Sequence, residues 1–78
     1  MSSLNRLMYF NCVVETGSIS EASRIFDVQP SSISRQLAAL EQELGVRLLN
    51  KTTRNTGLTE AGRKYYEFSQ RIVSEFDE

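Results

Sequence analysis

The chain has 78 residues, 40% of them apolar and 24% charged, which is enough for one small domain burying about 60% of the surface its unfolded form exposes. Nine basic residues oppose ten acidic ones for a formal charge of −1, with one cysteine and no histidine; an internal disulfide is excluded, a zinc site is short of ligands, and the usual general base is missing. No apolar run approaches the roughly 18 residues of a membrane span, and the N-terminus lacks the charged start and apolar stretch of a signal peptide, so a cytoplasmic, non-enzymatic chain is expected, with no cofactor, metal or membrane partner.

Leu4, Leu7, Met8, Phe10, Val13 and Val14 recur at helical spacing, which predicts a first helix ended by Gly17. Cys12 lies in this pattern and reads as a small buried hydrophobe. Ser18 and Glu21 have the spacing of a capping box, with Ser20 as a rival cap, and Ala22, Ile25 and Phe26 form the expected buried stripe of a second helix. Asp27-Val28-Gln29 leaves room only for a turn before the next helix, and two helices so joined suggest a helix-turn-helix.

Pro30 suits the first position of a third helix and Gly45 its end, giving a recognition helix over about 29–44. At about 100° per residue, Ile33, Leu37, Leu40 and Leu44 share an inward stripe, while Ser31, Arg35, Ala38 and Gln42 face the other way, flanked by Ser32, Ser34 and Ala39. That outer face is small, polar and free of acid over its first two turns. It fits close approach to a duplex; the alternatives are an ordinary solvated face, or a surface that docks on another protein. Val46 to Leu58 alternates enough for a short two-stranded wing with a basic tip, Lys51-Thr52-Thr53-Arg54. Arg54 there either enters a narrow minor groove or stands in water, and spacing alone slightly favours water. Positive charge gathers in the middle of the chain, where a duplex would lie: residues 28–58 carry Arg35, Arg47, Lys51 and Arg54 against Glu41 and Glu43, a local balance of +2, whereas both flanking segments are negative.

Thr59 supplies an N-cap for a last helix, with Glu60 favourable in its first turn. Ala61, Tyr65, Phe68, Ile72 and Phe76 make one stripe, widened by Tyr66, Ser69 and Val73. A helix of about 20 residues spans roughly 30 Å, and this much aromatic surface exceeds what a three-helix body covers. A homodimer through Tyr65, Phe68, Ile72, Val73 and Phe76 is expected, with two-fold symmetry suited to paired half-sites on double-stranded DNA.

Five blocks in register resemble the N-terminal domain of LysR-type transcriptional regulators over nearly the whole chain. They are Leu4, Leu7 and Phe10 with Val13-Val14-Glu15-Thr16-Gly17-Ser18; Ala22 with Phe26; Ser34-Arg35-Gln36-Leu37 with Leu40-Glu41; Leu44-Gly45-Val46-Arg47-Leu48-Leu49; and Leu58-Thr59-Glu60-Ala61-Gly62. The resemblance implies a mainly α fold, a winged helix-turn-helix with a three-helix core, a short two-stranded β wing and a long C-terminal linker helix. It divides the chain into a DNA-binding domain at 1–58 and a linker and dimerisation helix at 59–78. It implies a bacterial transcription factor whose small-molecule effector binds a further C-terminal domain absent from this sequence, so that the chain resembles an excised fragment of a regulator. The family's major-groove contacts map onto Gln29, Pro30, Ser31, Ser34 and Arg35, with Ser32 beside them; Arg54 maps onto its minor-groove arginine, and Lys51 and Thr52 onto the phosphate backbone. Where the family often has Ser-Gln-Pro-Ala, this chain has Gln29-Pro30-Ser31-Ser32. Gln29 is a poorer cap than serine but can pair with adenine, and Pro30 offers only apolar contact.

Overall fold

The computed structural model describes residues 3–51 and 56–77. In chain order they form α1 (Ser3–Thr16), α2 (Ile19–Phe26), α3 (Pro30–Leu44), β1 (Leu49–Lys51), β2 (Thr56–Leu58) and α4 (Glu60–Asp77). The strands pair antiparallel with Leu49 opposite Leu58, Asn50 opposite Gly57 and Lys51 opposite Thr56. Residues 52–55, including Thr52 and Arg54 of the expected wing tip, lie outside the described residues.

Helix α1 is the hub. It packs against α2, α3, α4 and β2, and it therefore buries Leu7, Tyr9, Phe10, Asn11 and Val13, on more than one side, rather than a single stripe. Phe10 is enclosed completely, with Tyr65 and Tyr66 of α4 meeting its ring edge-on at centroid distances of 5.6 and 6.3 Å. Tyr9 meets Phe26 of α2 the same way at 4.9 Å. Ala22, Ile33, Leu37, Leu40, Leu48 and Leu49 complete the core. α4 is pinned to α1 by polar contacts as well: Ser69 Oγ donates to Asn11 Oδ1 at 2.5 Å, and Tyr66 OH donates to Glu15 Oε2 at 2.9 Å.

Helix ends follow the local chemistry. Gly17 and Gly45 adopt φ of 74° and 73°, and their N–H groups return to Val13 O and Glu41 O. A left-handed residue closes a helix this way, and glycine takes it without a Cβ penalty. Asp27 holds the same conformation at φ 58° between α2 and α3, a place where aspartate is tolerated better than most side chains. Only half of the expected capping box forms. Ser18 Oγ accepts from Glu21 N at 3.2 Å, but Ser18 N donates to Thr16 Oγ1, and Glu21 turns outward to Arg24. The α1 terminus lies close enough to supply the partner that Glu21 was expected to provide.

Two apolar assignments are corrected. Ile25 is 62% exposed, because the buried arc of α2 runs through Ala22, Phe26 and Ser23, and Ile25 sits about 60° outside it at 100° per residue. Leu44 has the right angular position on α3 but is 42% exposed, since the helix has run past the body that covers Ile33 to Leu40. Cys12 is half-buried against the core rather than fully enclosed. Burial pushes its thiol above the ordinary value and the Glu15 carboxylate adds to the effect, which keeps it protonated and unreactive near neutral pH.

Candidate nucleic-acid interface

The face of α3 turned away from the core is presented to solvent along its length. Gln29, Pro30, Ser31, Arg35, Ala38 and Gln42 are exposed, and Ser32, Ser34 and Ala39 are half-exposed beside them. Pro30 occupies the first turn. Gln29 takes the N-cap position in extended conformation (φ −71°, ψ 142°), and its side chain makes no capping hydrogen bond. The amide thus stays available at the head of the helix, while its backbone carbonyl accepts from Ser32 N at 3.0 Å.

Electrostatics sharpen this face. Arg35 makes no hydrogen bond or ion pair among the described residues, while both acids of α3 are engaged elsewhere. Glu43 pairs with Arg6 of α1 at 2.9 Å, and Glu41 Oε2 accepts from the backbone N–H groups of Leu48 and Leu49 at 2.8 and 3.1 Å. Arg6 also donates to Gln36 Oε1 at 3.0 Å, so one guanidinium grips α3 at two points about two turns apart. The positive charge on the outer face is therefore not cancelled by its own helix.

These roles for Glu41 and Arg6 are absent from the sequence reading. A glutamate on the flank of a helix carries no pattern that marks it as an acceptor for a strand beginning beyond the next glycine, and an isolated arginine in the first helix looks solvated. Thr59 caps α4 as expected, with Oγ1 accepting from Gly62 N at 2.9 Å, but it also donates to Arg47 O at 2.6 Å.

The sites assigned to the wing are only partly described. Lys51 lies in β1, and the placement of Thr52 and Arg54 is outside the described residues. On α4 the residues expected at a dimer interface divide. Tyr65 is half-buried and packs on Phe10 and Phe68, with burial first and the Glu43 charge second pushing its phenol above the ordinary value. Phe68 is 45% exposed, and Ile72 and Val73 are half-exposed. The Phe76 side chain lies outside the described residues. Part of the aromatic excess is thus absorbed within the fold, where α4 lies along α1.

Among the described residues no three His, Cys, Asp or Glu side chains gather as metal ligands, and no helix is long and apolar enough to cross a membrane.

Residues 4–63 match the family described as bacterial regulatory helix-turn-helix protein, lysR family. The chain is similar to the HTH-type transcriptional activator AaeR of Escherichia coli K12, with 48% identity over 75 residues, covering 96% of this chain and 24% of that protein. In structure it resembles the CbnR DNA-binding domain in complex with DNA, with a TM-score of 0.92 at 36% identity, covering 97% of this chain and 87% of that one. The BenM DNA-binding domain bound to the catB site 1 DNA gives a TM-score of 0.92 at 33% identity, covering 97% and 85%. The chain spans about a quarter of the length of the curated relatives it matches.

Proposed function

The chain belongs to the lysR family of bacterial regulatory helix-turn-helix proteins, and on that footing we propose that it is the part of a transcription regulator that reads double-stranded DNA as a homodimer. The observation that carries this reading is the outer face of α3: exposed, small and polar, with Arg35 unengaged among the described residues and both acids of the helix tied to α1 and the wing base. Residues 1–58 form the reading domain and residues 59–78 the linker and dimerisation helix. A chromosomal target places the protein in the bacterial cytoplasm. A small-molecule effector belongs to the portion of the longer relatives beyond this match.

Positioning and reading are separate tasks in such an interface. Gln29, Ser34 and Arg35 meet base edges in the major groove, where glutamine pairs with adenine and arginine with guanine; Pro30, Ser31 and Ser32 line the approach. Lys51 and Thr52 hold phosphates, and Arg54 enters the minor groove. Affinity should fall steeply as salt rises, because phosphate neutralisation releases counterions; a flat salt response would favour docking on a protein instead. On a duplex selected by the parent chain, Arg35→Ala should cost about 1–3 kcal/mol and relax preference at one position. Equal losses on selected and random DNA would reassign Arg35 to a phosphate. For Arg54→Ala the loss should be greatest on A/T-rich flanks, and indifference to flank sequence would remove the minor-groove role.

Dimerisation is supported by the outward apolar side chains of α4. Phe68 is exposed, and Val73 borders a shallow depression shared with Met8 and Cys12 of α1 and Phe26 of α2. Sedimentation should show a dimer that weakens on Phe68→Ala. A strictly monomeric parent at high concentration would contradict it.

A further inference from the structure

The backbone at the base of the wing is held from two sides. From α3, Glu41 Oε2 takes the N–H groups of Leu48 and Leu49. From the start of α4, Thr59 N donates to Leu48 O at 3.0 Å and Thr59 Oγ1 donates to Arg47 O at 2.6 Å. Gly62 closes the same contact, since α4 approaches the Leu48 carbonyl so nearly that a Cβ at position 62 would have no room. Arg47, Leu48 and Leu49 thus form a splice gripped by the recognition helix through their amides and by α4 through their carbonyls.

We propose that this splice sets the angle between α3 and α4, and so determines which half-site spacing the dimer accepts. The inference rests on the dimeric DNA-reading function proposed above and adds Glu41 and Thr59 as positioning residues that touch no DNA. Among the described residues α3 packs chiefly on α1 and α2, and α4 chiefly on α1 and β2. Packing on α1 brings directional bonds of its own, from Arg6 to Gln36 and Glu43 of α3 and from Ser69 and Tyr66 of α4 to Asn11 and Glu15, but it relates α3 to α4 only through a third helix. Hydrogen bonds at these distances are directional, so the four bonds at the wing base couple the two helices through one three-residue segment and limit their rocking against each other. In a two-fold dimer held through α4, rocking one α3 against its own α4 moves the two reading heads relative to each other. Spacing changes, while each head keeps its own contacts.

Thr59→Asp separates the two roles of Thr59, because aspartate still caps the helix but, ionised, has no donor for Arg47 O. Duplexes are selected from a random library with the parent chain, which yields both the half-site and its spacing. Parent and variant are then titrated on the selected duplex and on versions with base pairs inserted or removed between the half-sites. The expected result is an unchanged half-site with a spacing preference lowered by about twofold to tenfold, the range that one lost hydrogen bond corresponds to. Thr59→Ser should restore the preference. Glu41→Gln, which loosens the splice from the α3 side while keeping an acceptor oxygen, should move it in the same direction, and it provides the reading should Thr59→Asp fold poorly. An equally sharp spacing preference in parent, Thr59→Asp and Glu41→Gln overturns the inference alone. Selection of single, unpaired half-sites by the parent overturns the dimer reading and this inference with it.

Discussion

Replacing Gly62 with alanine should lower the stability of the folded chain by about 2–3 kcal/mol, the upper range for overpacking a tight contact. Two effects of opposite sign compete. Alanine is the better helix former by about 1 kcal/mol, and Gly62 lies in the first turn of α4, where that gain would ordinarily appear. Against it, the new Cβ would fall within contact of the Leu48 carbonyl oxygen, 2.9 Å from the Leu48 carbonyl carbon and 3.1 Å from Leu58 Cδ2. Two of those three atoms are backbone, and the same carbonyl accepts the Thr59 N–H. The wing cannot move aside by rotating a side chain; β1 must shift as a unit and lose that bond. At about 4–8 °C per kcal/mol for a domain of this size, the melting temperature should fall by roughly 8–24 °C. Gly57→Ala is the control, since a Cβ there meets nothing within 4 Å, and its melting temperature should stay near the parent's. If Gly62→Ala melts with the parent, the close approach of α4 to the wing base is wrong.

The elements that were legible in the sequence are those with local causes. Glycine at 17 and 45, proline at 30 and threonine at 59 each stop or start a helix through their own backbone or side chain, and the structure has its helix ends there. The outer face of α3 was legible for a similar reason, because the period of a helix assigns faces once one stripe is known. What failed needed knowledge of neighbours. Ile25 lies on the edge of a stripe that only the positions of α1 and α3 define, and Leu44 on a stripe whose cover has ended. The reciprocal arm of the capping box was displaced by Thr16, which belongs to the previous helix.

The same division holds at the candidate interface. Exposure of Gln29, Ser31 and Arg35 follows from periodicity, yet whether Arg35 would be cancelled by Glu41 and Glu43 depends on partners 30 or more residues away in one case and across a glycine turn in the other. The overall charge of −1 is a poor guide to binding for this reason. Acids drawn into the fold by Arg6 and by the amides of the wing base leave the outer face of α3 more positive than their number suggests.

Glu41 carries the largest consequence of that arrangement, and Glu41→Ala should cost about 2–4 kcal/mol in unfolding free energy. A solvated glutamate changed to alanine in mid-helix would shift stability by no more than about 0.5 kcal/mol, and the propensity term would favour alanine. Here one oxygen satisfies two backbone donors that belong to Leu48 and Leu49, residues 1% and 2% exposed. Each bond to a charged acceptor is worth about 1.5–3 kcal/mol net; since Glu41 itself is only half-buried, water reaches part of the gap and the loss falls below the full sum. Glu41→Gln separates shape from charge. Its carbonyl oxygen can stand where Oε2 stands and accept both N–H groups, so it should lose only about 1–2 kcal/mol, the difference between charged and neutral acceptors. Amide hydrogen exchange gives the local readout: Leu48 and Leu49 should be protected in the parent, somewhat less in Glu41→Gln, and should exchange far faster in Glu41→Ala, while Phe10 and Val13 change only with global stability. Equal stability of the alanine and glutamine variants, with both amides still protected, would return Glu41 to the solvated face. A selective loss of protection at Leu48 and Leu49 would instead make this carboxylate the link by which α3 holds the base of the wing, and would give an acid on that helix a structural reason to be there.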